Sequence, residues 1–493
     1  MIILLIYQKI FFVFFTKPQS YSAFNYYQNV KAQDFLKQIN MKKNTQIRPR
    51  KVKVVNPNEK FEDYIISEIK IGEHALNKDI RIINSYEEQQ RNENNYDFDD
   101  DVINEEDIKK CRIFIGNQLI PFSYYFKFTQ LGTFQIKYYF SSNITSLCHL
   151  FYLCDFITSL DFTYFKNPNI TNMRGMLQGC KFLTKINLSN LQTQKVTDMS
   201  YMFADCRLLN ELNITNLKTQ NVTDMSYMFS GCQSLTNLNV SNLSTQNVTD
   251  ISGIFMGCES LTYMDLSNLD TKNVTNMSYI FSGCESITNI NLSNLNTQKT
   301  TNMKGMFQGC KSLPDINVSN FNTQYVTNMS WLFQGCASLP NINISNFNTE
   351  NLTNMKGMFA DCSSLTNINL SQLNTKNVTD ISGLFWGCKS LVSINLTNFN
   401  TEKVIDMNYM FHGCEKLRNI NLKNFMTQNV ADMSYMFSKC YKLRNLDLTN
   451  FKIEDENKTN INSMFSDCKS LTDSEIKCEE EIITDEFARR KIY

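Results

Sequence analysis

The chain has 493 residues, and its 48 basic and 48 acidic side chains cancel, so nothing in its charge suggests general affinity for nucleic acid. With 22 Met, 36 Phe and 16 Cys it can bury a large core. The three histidines, His74, His149 and His412, lie far apart and match no nucleophile, zinc or phosphate-loop motif, so neither an enzyme nor a bound cofactor or metal is expected.

At the N-terminus, residues 2–6 and 10–15 are apolar but are interrupted by Gln8 and Lys9. No basic region precedes them, Tyr21-Ser22-Ala23 is a poor cleavage site, and the stretch is too short to span a bilayer. It reads as a signal peptide, an anchor, or an upstream misreading of a start at Met41, which opens a basic stretch through Lys42, Lys43, Arg48, Arg50, Lys51 and Lys53. Membrane contact is expected only if this apolar segment is part of the working protein. Residues 1–60 are read as a disordered leader and linker.

Residues 61–142 contain apolar, β-rich runs at 65–71, 79–85, 111–120 and 124–140, with turn signals at Gly116-Asn117 and Gly132. Five or six antiparallel strands are expected, forming a small β-sandwich or β-grasp module that covers one end of a repeat array beginning at residue 143. The acidic, Asn-rich insert at 87–107 holds Asp97, Asp99 and Asp101, but an EF-hand requires Gly at the sixth place and Glu at the twelfth. Val102 and Ile108 stand there, so the insert reads as a solvated loop.

The array runs from residue 143 to 472. Cysteine recurs every 26 residues from Cys154 to Cys440, and a thirteenth copy, at Cys468, arrives after 28. A fixed period of this kind means one unit stacked many times. In the copy beginning at Leu209, Leu212 and Ile214 alternate with Asn213 and Thr215, the period of a half-buried strand. Met225, Met228, Phe229 and Cys232 fall at i, i+3, i+4 and i+7, which predicts a helix of about two turns capped by Thr223 or Asp224. Neither piece is stable alone. Stacking would join twelve strand segments into one parallel sheet on one face and line the other face with short helices.

The recurring unit, read at 213–232, closely resembles the bacterial surface protein 26-residue repeat, also called the BspA-like leucine-rich repeat. The resemblance implies an α/β solenoid, a leucine-rich-repeat-like right-handed superhelix, with parallel strands on one face and short helices on the other. It also implies a non-enzymatic cell-surface or secreted protein of recognition or adhesion, of a kind found in bacteria and in parasitic or gut-dwelling protists. A start at Met41 would instead make the chain a cytoplasmic interaction scaffold.

Spacing puts thirteen cysteines at one core position per rung, so free, buried thiols are expected rather than a disulfide scaffold. The column that includes Asn190, Asn294, Asn320 and Asn346 has inward parity and is expected to satisfy loop backbone from rung to rung. Outward parity belongs to Asn213, Asn239, Asp265, Asn291, Asn317, Asn343, Asn369, Asn395 and Asn421. This column is the candidate binding surface, for a glycan or an extended protein. Asn221, Asn273 and Asn377 open sequons, and carbohydrate on every rung would cover an exposed sheet. Residues 473–493 read as a charged cap or tail.

Overall fold

The computed structural model describes residues 63–93, 103–455 and 458–489. Phe61–Tyr493 form one compact unit, while a second unit, Met1–Lys60, lies outside the described residues, as do the apolar leader and the Met41 start. Asp97, Asp99 and Asp101 also fall outside them.

The N-terminal part of the large unit contains β1 (Tyr64–Ile71), β2 (Asp79–Arg81), α1 (Tyr86–Asn92), α2 (Glu105–Ile108), β3 (Arg112–Ile115), β4 (Gln118–Ile120), β5 (Tyr125–Lys127) and β6 (Gly132–Tyr139). In β1, Ile65, Ser67, Ile69 and Ile71 are buried in strict alternation, and the strand pairs with β6 along its whole length. Its other edge pairs antiparallel with β7 (Ile157–Asp161), which runs parallel to β8 (Lys185–Asn187). One sheet, ordered β4-β3-β6-β1-β7-β8, therefore passes from the N-terminal strands into the first rungs. The N-terminal strands thus abut the first repeat through a shared sheet. An open edge on β7 would template foreign pairing, and β1 closes it.

Beyond β8, assigned strands come only in parallel pairs: β9 (Tyr263–Asp265) with β10 (Asn289–Asn291), β11 (Ser393–Ile394) with β12 (Asn419–Ile420), and β13 (Leu446–Asp447) with β14 (Ile476–Lys477). The expected unbroken sheet is thus interrupted. Two of the interrupted rungs carry Pro314 and Pro340 where other copies have Thr184, Thr288 or Thr366, each of which donates its N–H to the preceding rung. Proline has no such donor. The inward parity holds even so, since Ile316, Val318, Ile342 and Ile344 are buried.

The opposite face corrects the sequence reading more sharply, because no α-helix forms there among the described residues. Met202 N, Ala204 N and Cys206 N donate to Met199 O, Tyr201 O and Phe203 O three residues back, which makes tandem turns. The intervening amides Met199 N, Tyr201 N, Phe203 N and Asp205 N donate instead to Asp224 O, Ser226 O, Met228 O and Ser230 O of the next rung, at 3.1, 2.9, 2.9 and 2.6 Å. An α-helix would have spent every amide within its own rung. Tandem turns need a left-handed residue every fourth position, and Tyr201 and Asp205 have φ of 57° and 56°. Because this period is close to that of a helix, the same residues, Met199, Met202, Phe203 and Cys206, still point inward and are buried. Parallel bridges continue the pattern in the residue before each turn segment, rung after rung from Ser146 to Asn460.

Three side-chain columns fill the rungs. Phe203 through Phe465 stack at centroid separations of 5.6 to 6.0 Å, all buried. Each thiol from Cys180 to Cys468 donates to a phenylalanine or leucine carbonyl of the preceding rung, as Cys284 does to Phe255 O at 3.2 Å and Cys206 to Leu177 O at 3.4 Å. The third column, Thr219 to Thr427, was not foreseen. The Thr297 hydroxyl donates to Asn322 O at 2.9 Å and accepts from Asn322 N at 2.7 Å, so one buried oxygen satisfies both backbone groups of a residue in the next rung.

The two ends are closed differently. In the first rung the outward-facing acceptors are Ser146 O, Cys148 O, Leu150 O and Tyr152 O, equivalent to Asn172 O, Arg174 O, Met176 O and Gln178 O, which the first rung's own amides occupy in the second. Asn104 Nδ2 donates to Ser146 O (3.5 Å) and Cys148 O (2.8 Å), Asn84 N to Leu150 O (2.7 Å) and Asn84 Nδ2 to Tyr152 O (3.2 Å). Two buried asparagines therefore imitate a missing rung. At the far end α3 (Glu481–Arg489) buries Ile483 and Phe487, sets Phe487 edge-on against Phe465 at 5.2 Å, and accepts the Ser463 amide on Glu486 Oε1 at 2.7 Å.

Removing Asn104 should leave buried carbonyls without donors. Asn104→Ala is expected to lower the unfolding free energy by about 1–3 kcal/mol, and Thr297→Val by a similar amount, both measured by urea denaturation. A loss below a few tenths for either would show that water replaces the lost partner.

Candidate functional site

The outward column lies where its parity placed it. Asn213, Asn239, Asn317, Asn343, Asn369, Asn395 and Asn421 are exposed, and Asp265 and Asn291 partly so. Each also has a structural task that the sequence did not reveal. Oδ1 accepts the N–H two residues on, from Thr215 (3.0 Å), Ser241 (2.9 Å), Ser319 (3.1 Å) and Thr397 (3.1 Å), for example, closing an Asx turn after the strand segment. Half of every amide is therefore committed to the fold. The Nδ2 halves of the asparagines are left as a line of donors, broken at Asp265, a carboxylate that accepts from Asn291. At Asp265 the hydrogen bonds from Ser267 hold the carboxyl below its usual range. Tyr263 is the aromatic exposed beside this column.

The neighbouring asparagines tie rungs together. Asn190 Nδ2 donates to Thr163 O (2.8 Å), Asn294 to Ser267 O (3.0 Å) and Asn346 to Phe321 O (3.0 Å). The sequon asparagines do likewise: Asn221, Asn273 and Asn377 give Nδ2 to Gln194 O, Gln246 O and Glu350 O at 2.7, 2.8 and 2.9 Å. The nitrogen that would carry a glycan is thus already holding two rungs together.

Nothing in the core is set up for acid–base or nucleophilic chemistry. All sixteen cysteines are free, with only Cys478 less than fully buried, and burial pushes the ladder thiols up, Cys284 and Cys336 to about 12. Burial lowers His149 to about 3, helped by Arg174, and His412 to about 4, so both are neutral at physiological pH. Among the described residues no group of His, Cys, Asp or Glu has the arrangement to hold a metal ion.

One column carries unevenly distributed charge. The bridge residues are Asp198, Asp224 and Asp250, then Asn276, Asn302, Asn328 and Asn354, then Asp380, Asp406 and Asp432. Each caps its turn with Oδ1, as Asp406 does for Asn408 N at 2.9 Å and Asn302 for Lys304 N at 3.1 Å. Burial first, then Asp380 and Asp432 above and below, push Asp406 up to about 6.

These groups can be tested through pH and through thiol reactivity. A carboxyl whose folded pKa lies above its unfolded value binds its proton more tightly in the fold, so Asp406 contributes stability at low pH that is lost as pH rises through about 6. Asp406→Asn, which keeps the capping oxygen, should therefore raise the melting temperature at pH 8, with the gain shrinking below pH 5; a gain independent of pH would dismiss the like-charge account. Alkylation of the native protein should label few thiols, whereas urea without reductant should expose nearly all sixteen. Thiols still blocked after unfolding would mean a cross-linked ladder.

No curated protein matches this sequence. Among solved structures, a leucine-rich cell surface protein from Faecalibacterium prausnitzii aligns over 62% of this chain and 86% of its own, at 19% identity and a TM-score of 0.30. A leucine-rich repeat protein from Eubacterium ventriosum aligns over 55% and 80%, at 19% identity and a TM-score of 0.31. The Toll–Spatzle complex of Drosophila aligns over 67% and 44%, at 16% identity and a TM-score of 0.22. One family model matches at residues 145–262, 233–317, 301–395 and 362–478, overlapping segments that together run through the whole rung array and more than half of the chain. On that match the chain belongs to the family described as Mycoplasma protein of unknown function, DUF285.

Proposed function

We propose that the chain is a non-enzymatic recognition or adhesion protein, displayed at the cell surface or secreted, whose rungs wind as a right-handed superhelix and present the outward amide column to a protein or glycan partner. The observation that carries this reading is the register of that column. Its Oδ1 atoms are fixed by Asx turns, so from Asn317 to Asn421 its Nδ2 donors repeat on successive rungs, a spacing suited to a polymer with regularly placed acceptors. Each such contact contributes only about 0.5–1.5 kcal/mol net, so affinity has to come from several rungs acting together.

A second reading, an intracellular scaffold, is favoured by one observation: fifteen buried free thiols suit a reducing compartment. The two are separated by cell fractionation with an antibody against the rungs. No helix among the described residues is long and apolar enough to cross a membrane.

The test of the binding face is a charge placed on it. Asn291, Asn317 and Asn343 changed together to Lys should reduce binding to a glycan array, or to intact cells, by more than about tenfold; the three lost Asx turns lower the melting temperature, so circular dichroism at the binding temperature checks that the fold persists. The serines of the turn segment make a poor control, because Ser226, Ser278 and Ser330 are buried. Gln246, Gln298 and Gln324 are exposed on a loop column, and their change to Lys should leave binding intact. Equal loss from both triple variants would remove the outward column as the site.

A further inference from the structure

A second surface lies on the turn face, away from the outward amides and independent of any role they have in binding. The first left-handed position of each turn segment is taken in chain order by His149, Gly175, Tyr201, Tyr227, Gly253, Tyr279, Gly305, Trp331, Gly357, Gly383, Tyr409, Tyr435 and Ser463. The tyrosines and the tryptophan among these are partly exposed. Where the next rung has glycine, the ring lies down over it. A Cβ on Gly253 would sit 2.3 Å from Tyr227 Cε1, one on Gly305 2.6 Å from Tyr279 Cδ1, and one on Gly175 2.3 Å from His149 Cδ2. These glycines are therefore required for the rings as well as for the backbone.

The column contains three aromatic–glycine–aromatic steps: His149/Gly175/Tyr201, Tyr227/Gly253/Tyr279 and Tyr279/Gly305/Trp331. In each, the two rings stand two rungs apart, about 10 Å at strand spacing. A cation midway lies within the roughly 6 Å reach of both ring faces. The chain fills two of these slots itself, using the residue just before the glycine. Lys304 Nζ is 5.6 Å from the Tyr279 ring and 4.8 Å from that of Trp331, while Arg174 Cζ is 5.5 Å from the Tyr201 ring. In the middle step that residue is Ser252, buried, with its amide on Asp250 Oδ1 at 2.7 Å. Asp250 stands beside this slot, its second oxygen accepting from Asn276 Nδ2 at 2.9 Å, and the slot has no cation of its own. Among the described residues Arg174 reaches Asp198 and Lys356 reaches Asp380, each at 4.0 Å, whereas Asp224 and Asp250 have no basic partner within that distance.

We propose that the slot between Tyr227 and Tyr279, floored by Gly253 and flanked by Asp250, receives an arginine or lysine side chain from a partner protein. The occupant is inferred from the chain's own precedents at the same position of the unit: Lys304 lies against both rings of its slot and Arg174 against one ring, while among the described residues Asp250 makes no ion pair.

The experiment titrates the full-length protein with a glycine–serine peptide carrying one central arginine, and with the same peptide carrying the neutral isostere citrulline, while following aromatic NMR shifts. The arginine peptide is expected to move the Tyr227 and Tyr279 resonances in a saturable way, and the citrulline peptide to do so at least tenfold more weakly. Ser252→Arg, which puts into this rung the residue the chain uses at Arg174, should fill the slot and weaken binding at least tenfold. Tyr279→Gly, the residue found at Gly253 and Gly305, should do the same by removing one wall. Both changes reuse residues that equivalent rungs accept, and unchanged circular dichroism and melting confirm the fold. No binding by the wild type, equal binding of the citrulline peptide, or unchanged affinity in Ser252→Arg with the fold intact would each overturn the proposal. Asn291, Asn317 and Asn343 changed to Lys should leave the titration unaltered, so failure here and failure of the amide column can be told apart.

Discussion

Every rung hangs on a backbone ladder that the sequence gives little sign of: alternate amides of the turn segment donate to carbonyls of the next rung, as Tyr201 N does to Ser226 O and Phe203 N to Met228 O. Because only alternate amides are spent this way, the others are free to close the tandem turns that bring the chain round. Geometry then dictates composition. A left-handed residue is needed at two places per unit, which is why Gly179, Gly231 and Gly257 stand at the second of them, and a buried apolar face is needed between, which Met, Phe and Cys supply. The strand side contributes less. Its pairing lapses at several rungs, and members of the Thr column bridge some of these gaps with paired bonds, Thr297 to Asn322 among them, although the buried Thr245 hydroxyl has no such partner.

A ladder with one direction has two different ends, and each end exposes one kind of group. The first rung shows carbonyls, which require donors, and Asn84 and Asn104 supply them. The last rung shows amides, which require acceptors, and Glu486 supplies one while α3 covers the apolar interior. This asymmetry explains why the N-terminal strands are fused into the first rungs through β1 and β7 rather than forming an independent domain: a cap that fits buried carbonyls must be rigidly joined to them.

Features that repeat from rung to rung were legible in the sequence, and features that occur once were not. The 26-residue period, the inward Leu212 and Ile214, the buried thiols and the asparagine ties could be read because several copies repeat the same constraint. The helix was misread because tandem turns with a left-handed residue every fourth position bury i, i+3, i+4 and i+7 much as a helix does, so periodicity alone could not separate them. The signal that does separate them was present: tyrosine and glycine exchanging freely at 201, 227, 253 and 279, which is odd on a helix and natural at a left-handed position. The Thr column was equally visible in the sequence, from Thr219 to Thr427, but its meaning depends on a partner 25 residues away. The capping asparagines had no copies to draw attention to them, and the outward asparagines looked idle because an Asx turn uses only half of the amide.

The ladder also decides where specificity can reside. Positions held constant from rung to rung are the ones it consumes: the inward apolar residues, the Thr hydroxyls and the capping Oδ1 atoms. A partner that reads only those positions cannot tell one rung from another, and would bind in any register. Discrimination has to come from positions the ladder tolerates in more than one form, and the turn face holds two of these side by side: the aspartate or asparagine of the bridge column, and the aromatic or glycine that stands three residues later. Their combinations differ along the array. Asp250 with Gly253 between two tyrosines occurs once, and Lys304 with Trp331 occurs once. The outward amides therefore suit avidity, while the turn face carries the information that would place a ligand at one particular rung.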